Sequence, residues 1–461
     1  MNNKRRLFYY ILFISSTLLI IISLLIAGKS LNTHNITEAA TIPLPAATQF
    51  LNGLAESFSS PLSTLLLQIV TILLVARVLG YLCTKIGQPR VIGEILAGIA
   101  LGPSLLGNYL PEVSGILFPK ASLGNLGMMS QLGLLLFMFI VGLELDFNML
   151  KNKASQAVVI SHASIVMPFM LGVALAYFIY EHTSPAGVNF TSYALFLGIS
   201  MSITAFPVLV RILKERGLDS TPMGTLAITC AAADDITAWC ILAAVVGLVK
   251  AGSMLSALYT ISLSIIYVLV MLKIVRPILH RSPKLNTALC ILILLLSGYC
   301  TELIGIHALF GAFMAGVIMP NDGQLRDTLK NKIEDVAMNL LLPLFFVFTG
   351  LRTQIGLLNG GGQLVILLLI LLVAITGKFL GSALAARAVG QNWRSSLTIG
   401  ALMNTRGLME LVALNIGYEL GVITPQIFTM LVLMAIITTC MTGPALKLID
   451  SNFKETAKLF N

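Results

Sequence analysis

Two adjacent carboxylates, Asp234 and Asp235, stand near the middle of the apolar stretch "ITCAAADDITAWCILAAVV" at residues 228–246. One charged side chain at the centre of a bilayer costs roughly 2.5–3.5 kcal/mol on insertion scales. Two neighbouring acids at that depth do not serve stability, so a chemical role is expected of them. On a helix adjacent residues project about 100° apart, which lets one face a cavity while the other contacts a neighbouring helix. Close carboxylates titrate as a coupled pair, and their oxygens are hard ligands suited to a small alkali cation. Such a site releases protons when a cation arrives and reloads them when it leaves.

The other ionisable residues inside apolar segments are Glu94, Lys378, Arg406 and Glu410. Lys378, in "LVAITGKFLGSALAARAVG", either snorkels to an interface or pairs with one of the two aspartates, where it competes with a cation and is itself a candidate proton carrier. Arg406 and Glu410 are spaced i, i+4, as expected for charge compensation at helix ends. Glu94 either lines a cavity or pairs with a basic residue near the cytoplasmic end. His307, in "GIHALFGAFMAGVIMP", is expected to pack between helices rather than relay protons.

These residues need elements to hold them. The chain has 461 residues, 57% hydrophobic and 11% charged, with a mean hydropathy of +0.92. Soluble domains carry about 25% charged residues, and apolar runs near the ~20 residues that span a bilayer recur along this chain. The sequence therefore reads as an all-α polytopic membrane protein. A net charge of +9 is scattered over short loops, so no nucleic-acid partner is expected. The six cysteines show no metal-ligand spacing and read as reduced packing residues.

Residues 1–28 are expected to form an N-terminal transmembrane helix or uncleaved signal, because the apolar run exceeds a signal peptide's core. Residues 29–60 are a polar extracytoplasmic linker, 61–447 the transmembrane domain, and 448–461 a short cytoplasmic tail with no room for an appended nucleotide-binding module. Within the domain, thirteen spans are expected near 62–83, 90–106, 125–145, 154–180, 191–211, 222–248, 254–273, 285–303, 306–320, 336–352, 363–386, 396–419 and 424–446. With the N-terminus inside, most Lys and Arg fall on the cytoplasmic side. Two spans look interrupted. One contains "SMSITAFPVLV", where Pro207 removes a backbone donor; the other contains "ALMNTRGLMELVALNIG", with Asn404, Thr405, Arg406 and Gly407 where hydrocarbon is expected. They lie seven spans apart, an odd offset that inverts orientation. Paired broken helices in inverted repeats point to a transporter's binding site.

The stretches "QPRVIGEILAGIALGPSLLG", "FIVGLELDFNML", "SITAFPVLVRILKERGL", "AAADDITAW", "GIHALFGAFMAGVIMP", "LLPLFFVFTGLRT" and "MNTRGLMELVALNIG" occur in this order over roughly residues 60–446. Together they resemble the cation:proton antiporter-2 family, in the branch related to the plant cation/proton exchangers. The resemblance implies about thirteen core helices as inverted repeats with two crossed, unwound helices, an extra N-terminal helix, a separate dimerisation part, and elevator-like movement of the core. It implies that Asp235 is the principal cation- and proton-binding carboxylate. Asp234 then occupies a position that is Asp in electrogenic relatives and Asn in many electroneutral ones. It further implies that Lys378 pairs with Asp234 and that Thr204, Ala205, Asn404 and Thr405 belong to the unwound pathway. A monovalent cation is expected at Asp235, Asp234 and Thr204. A basic residue at the place of Arg406 also occurs in electroneutral exchangers, which leaves the charge stoichiometry open.

The function expected is exchange of Na+ or K+ for H+ across a bilayer, by a homodimer in a bacterial inner membrane, with no cofactor and no enzymatic activity. A sodium-coupled solute symporter is the alternative; a cation channel would favour a repeated pore loop. An intramembrane aspartyl protease would need its two Asp on separate helices.

Overall fold

The computed structural model describes residues 3–28, 60–144, 154–219, 221–251, 254–281, 286–320 and 323–459, and every regular element among them is helical. The expected linker over 29–60 lies, except for Ser60, outside the described residues. The chain divides into two units, Met1–Ser60 and Pro61–Asn461. The first contains α1 (Asn3–Gly28), apolar along most of its 26 residues.

The second unit begins with α2 (Pro61–Lys85), α3 (Arg90–Leu101) and α4 (Leu123–Glu144). They are followed by α5 (Ala154–Thr183), α6 (Phe190–Ser202), α7 (Phe206–Glu215) and α8 (Pro222–Ala251). Helix α9 (Met254–Val270) continues through a π-helical turn to Arg281. Next come α10 (Thr287–Ile304), α11 (Ala308–Val317) and α12 (Gly323–Val336), the last joined by a π-turn to α13 (Leu342–Arg352). Helix α14 (Gly361–Ile375) passes through a third π-turn, Thr376–Leu380, into α15 (Gly381–Ala388). The chain ends with α16 (Trp393–Met403), α17 (Leu408–Glu419) and α18 (Pro425–Leu459). Among the described residues, ten helical segments are long and apolar enough to cross a membrane. The region expected as a span at 306–320 holds only the ten-residue α11, and the expected tail beyond 447 continues α18 to Leu459.

Two breaks occur where the residues disfavour helix. Helix α6 ends at Ser202, and Ile203, Thr204 and Ala205 are non-helical before α7 starts at Phe206. Helix α16 ends at Met403, and Asn404 to Gly407 unwind before α17. Unwound backbone at membrane depth survives only where protein or water meets its polar groups, and here each break meets the other.

Lipid tails are as apolar as leucine, so helices in a membrane associate through close packing at small residues. At the α4–α11 crossing, a Cβ on Gly142 would lie 2.2 Å from the Phe313 carbonyl, and one on Gly316 2.2 Å from that of Phe139. Backbone touches backbone there, and neither carbonyl is a flexible group that can yield. Gly142→Val is expected to destabilise the fold by about 1–3 kcal/mol, as overpacking does; a lowered melting temperature in detergent would show it, and an unchanged one would contradict the crossing.

Candidate functional site

The Asp pair sits on α8, between α5, the π-turn after α14 and the two breaks. Asp234 is fully buried, and its Oδ2 accepts hydrogen bonds from Ser164 Oγ (2.6 Å), Thr204 Oγ1 (2.5 Å) and Lys378 Nζ (3.1 Å). Lys378 is equally buried, forms an ion pair with Asp234, and also donates to the carbonyl of Ser202, the last residue of α6. It lies within the π-turn Thr376–Leu380, a distortion often found at functional sites. A Cβ on Gly377 would lie 2.8 Å from Pro168 Cα, so its missing side chain lets this turn press against α5. Pro168 in turn has no N–H to give to the carbonyl of Ser164.

Asp235 is different. Only 3% of it is exposed, yet neither carboxylate oxygen has a hydrogen-bond partner, and Oδ1 of Asp234 and Oδ1 of Asn404 are likewise unpartnered. Phe206 opens α7, whose N-terminal end carries the positive pole of the helix dipole.

The two breaks hold each other. The N–H of Ala205 donates to the Thr405 carbonyl at 3.0 Å, and Thr204 Oγ1 reaches the Met403 carbonyl at 3.3 Å. Arg406, 1% exposed, sends Nη1 to the Ser200 carbonyl (3.2 Å) and Nη2 to that of Met201 (2.8 Å). Its backbone N–H and carbonyl both bond the hydroxyl of Thr439 on α18, at 3.0 and 2.7 Å. Thus Lys378 and Arg406 both cap the C-terminal end of α6, where carbonyls lack helical partners and the dipole is negative. Glu410 lies 3.3 Å from Arg406 Nη1, close enough for an ion pair, although its oxygens lack hydrogen-bond alignment.

Three acids (Asp234, Asp235, Glu410) and two bases (Lys378, Arg406) are therefore buried together, with every side chain at most 3% exposed. With all five charged, one negative charge is uncompensated. Neutrality needs one proton or one singly charged cation.

Among the residues singled out from the sequence, the structure brings together Asp234, Asp235, Thr204, Ala205, Lys378, Asn404, Thr405, Arg406 and Glu410. Glu94 stands apart, paired with Arg90 at 3.1 Å. His307 sits at the start of a helix, where its Nδ1 accepts from the Leu309 N–H at 3.4 Å. It precedes α11 with a φ of 80°, the one non-glycine residue at positive φ among those described, beside Glu302, whose carboxylate caps the Ala308 N–H at 2.9 Å. Ser164 and Thr439 went unnoticed in the sequence. A serine or threonine in an apolar helix usually bonds its own backbone, and nothing local distinguishes these two.

The sodium/hydrogen exchanger transmembrane family model matches residues 69–449, a region that includes both breaks and the Asp pair. The chain belongs to this exchanger family. Ten long apolar helices in a member of a transporter family make it a multi-pass membrane protein. The Na+/H+ antiporter NhaS4 of Synechocystis sp. is 43% identical over 398 residues, covering 84% of this chain and 97% of the relative. Cation/H+ antiporter 18 of Arabidopsis thaliana is 39% identical over 426 residues, with 89% of this chain and 52% of the relative covered. K+/H+ antiporter 1 of Saccharomyces cerevisiae is 33% identical over 418 residues, with 87% and 48% covered. The chain thus spans about half the length of these plant and yeast proteins. Among solved structures, the sodium proton antiporter MjNhaP1 of Methanocaldococcus jannaschii at pH 8 superposes with a TM-score of 0.60 at 15% identity, over 84% of this chain and 98% of that one. The exchanger fold is shared.

Removing one member of a buried ion pair costs about 3–5 kcal/mol, because the other charge is stranded. Lys378→Gln is therefore expected to lower the melting temperature strongly, and Asp234→Asn added to it to recover most of the loss. A double variant no more stable than Lys378→Gln alone would show that the pair does not act as a unit.

Proposed function

We propose that this protein exchanges Na+ or K+ for protons across a membrane at the Asp234–Asp235 site. The observation that carries the reading is Asp235, a buried carboxylate with two unpartnered oxygens in a cluster one positive charge short of neutrality. A proton or a monovalent cation supplies that charge, and both together overfill it. Mutual exclusion at one site makes binding of one the release of the other, which is the condition for exchange rather than leak.

Asp234 and Lys378 extend the cycle. With Asp235 protonated and Lys378 charged, the site is balanced. A cation bound between Asp234 and Asp235, with Thr204 Oγ1 and Asn404 Oδ1 as neutral oxygen ligands, draws Asp234 away from Lys378. A buried ammonium without its counter-charge is costly, so Lys378 sheds its proton. Two protons then leave for one cation, so the cation-loaded cluster carries one net negative charge where the protonated one is neutral, and the cycle carries charge, as an aspartate at position 234 would favour.

Thirteen crossings arranged as inverted repeats would place the two broken segments, 190–215 and 393–419, in opposite orientation at mid-depth, as alternating access requires. In this reading the half of the molecule carrying α5–α8 and α14–α18 moves as an elevator against the rest, within a homodimer in a bacterial inner membrane. The names of the relatives above support cation/proton exchange; the two ions they name leave Na+ and K+ as the candidates.

The test uses the purified chain in proteoliposomes containing a pH dye, with Na+ or K+ added across an imposed pH gradient. Cation-driven proton movement is expected and should fall to background in Asp235→Asn. Wild-type protein that is folded but moves no protons with either ion would sink the reading. Asp234→Asn is expected to keep some exchange while losing its response to membrane potential; undiminished voltage sensitivity would exclude the two-proton cycle.

A further inference from the structure

Among the described residues, two buried hydroxyls are left over from the site. Ser161 Oγ on α5 and Ser382 Oγ on α15 are both 0% exposed and have no hydrogen-bond partner. Buried polar atoms in folded proteins are almost always paired, and an orphan calls for water or an ion to satisfy it. Neither serine continues its helix's own bonding, as most serines and threonines in this molecule do.

Their placement is not scattered. Helices α5 and α15 run antiparallel in contact. A Cβ on Gly377 would meet Pro168 and Leu171, while one on Gly381 would meet Ala163 and Met167, so advancing along one helix retreats along the other. Ser161 lies one turn before Ser164, and Ser382 one turn after Lys378, on the same side of the Asp234–Lys378 pair along the helix axes. Farther in that direction the side-chain amide of Gln391 donates to Gln156 Oε1, and that of Gln156 to the Val389 carbonyl, both at 3.4 Å. Both glutamines are half-buried. Polar layers therefore succeed one another over the eight residues from Gln156 to Ser164, about 12 Å at 1.5 Å per residue. Around them the same helices contribute the apolar Ala157, Ile160, Ala385 and Ala386. Asp235 makes no hydrogen bond to any of these groups.

We propose that Ser161 and Ser382 hold buried water and form, with Lys378, a proton lane from the Gln156–Gln391 rim to Asp234, separate from the cation's approach to Asp235. The inference rests on the exchange reading above and adds a route to it. A hydroxyl or water accepts a hydrogen bond on a lone pair while donating its own hydrogen. A proton taken up at the rim is thus passed link by link, each link keeping its number of hydrogens and turning back before the next passage, and arrives on the free amine of Lys378. The same chain run backwards carries it out. A cation has no such relay, because it must carry its ligands or exchange them, and the lane is lined by alanine and isoleucine apart from its hydroxyls. Under the orientation read from the Lys and Arg distribution, the rim faces the cytoplasm.

The experiment compares wild type with Ser161→Ala, Ser382→Ala, the double alanine variant and the corresponding Ser→Thr variants, in the same proteoliposome assay in H2O and D2O. In the double alanine variant the maximal rate of cation-triggered proton movement should fall by about tenfold or more, a typical contribution of a positioned proton-transfer group. The half-saturating cation concentration should stay unchanged, the solvent isotope effect should grow, and threonine should restore the rate. A merely structural role would move rate and cation affinity together without altering the isotope effect. An unchanged maximal rate in the double variant overturns the lane. So does a raised melting temperature in both alanine variants, since removing a dry, unpaired hydroxyl stabilises whereas removing a hydrated one does not. Loss of exchange in wild type defeats the exchange reading itself, whereas a working wild type with indifferent variants defeats only the lane.

Discussion

One surplus negative charge governs this molecule. Asp234, Asp235 and Glu410 are buried with only Lys378 and Arg406 to oppose them, in a protein surrounded by hydrocarbon. Unpaired charge in a low-dielectric interior is far too costly to persist. With all five groups charged, the cluster therefore calls for one further positive charge. Nothing in the five side chains dictates whether that charge is a proton or a cation, and the proposed exchange follows from that indifference.

The fold is arranged to keep the cluster from collapsing into simple pairs. Lys378 satisfies one oxygen of Asp234, jointly with Ser164 and Thr204, and leaves Asp235 unsatisfied. Arg406 is aimed elsewhere: its guanidinium is occupied by the Ser200 and Met201 carbonyls at the end of α6. Had it faced Asp235, its guanidinium would fill the carboxylate oxygens that now stand unpartnered. The two breaks thus act as polar ends inside the protein, with the α6 carbonyls taken up by Lys378 and Arg406 and α7 starting at Phe206. Their mutual bonds, Ala205 to Thr405 and Thr204 to Met403, let unwound backbone exist at this depth without water.

Close packing supplies the precision that charge alone lacks. The π-turn around Lys378 and the bare Cα of Gly377 set the distance between α5 and the lysine. The glycine crossings of α4 with α11 form a second set of backbone contacts away from the site. Membrane helices get no hydrophobic drive toward one another, so such backbone contacts define where rigid parts begin and end, and an elevator-like motion would need rigid parts.

By itself the sequence determined the all-helical membrane class, the two breaks and the acid pair, because each is a local property. Hydropathy is additive along a helix, Pro207 and the Asn404–Gly407 stretch disrupt helix wherever they lie, and two acids among alanines advertise their cost. Tertiary structure decided which charges meet across helices, Lys378 with Asp234, whereas Arg90–Glu94 and Arg406–Glu410 are local i, i+4 pairs. It also brought Ser164 and Thr439 into the site, although their sequence surroundings are those of ordinary packing residues. Among the described residues, ten helical segments qualify as spans by length and apolarity, beside thirteen expected, since breaks at 203–205 and 404–407 and the short α11 divide what hydropathy counts as whole. The reason is the same in each case. Composition reports the energy of placing a residue in the membrane, whereas the partner that offsets that energy comes from another helix, 70 residues away for Ser164 and Asp234 and 144 for Asp234 and Lys378.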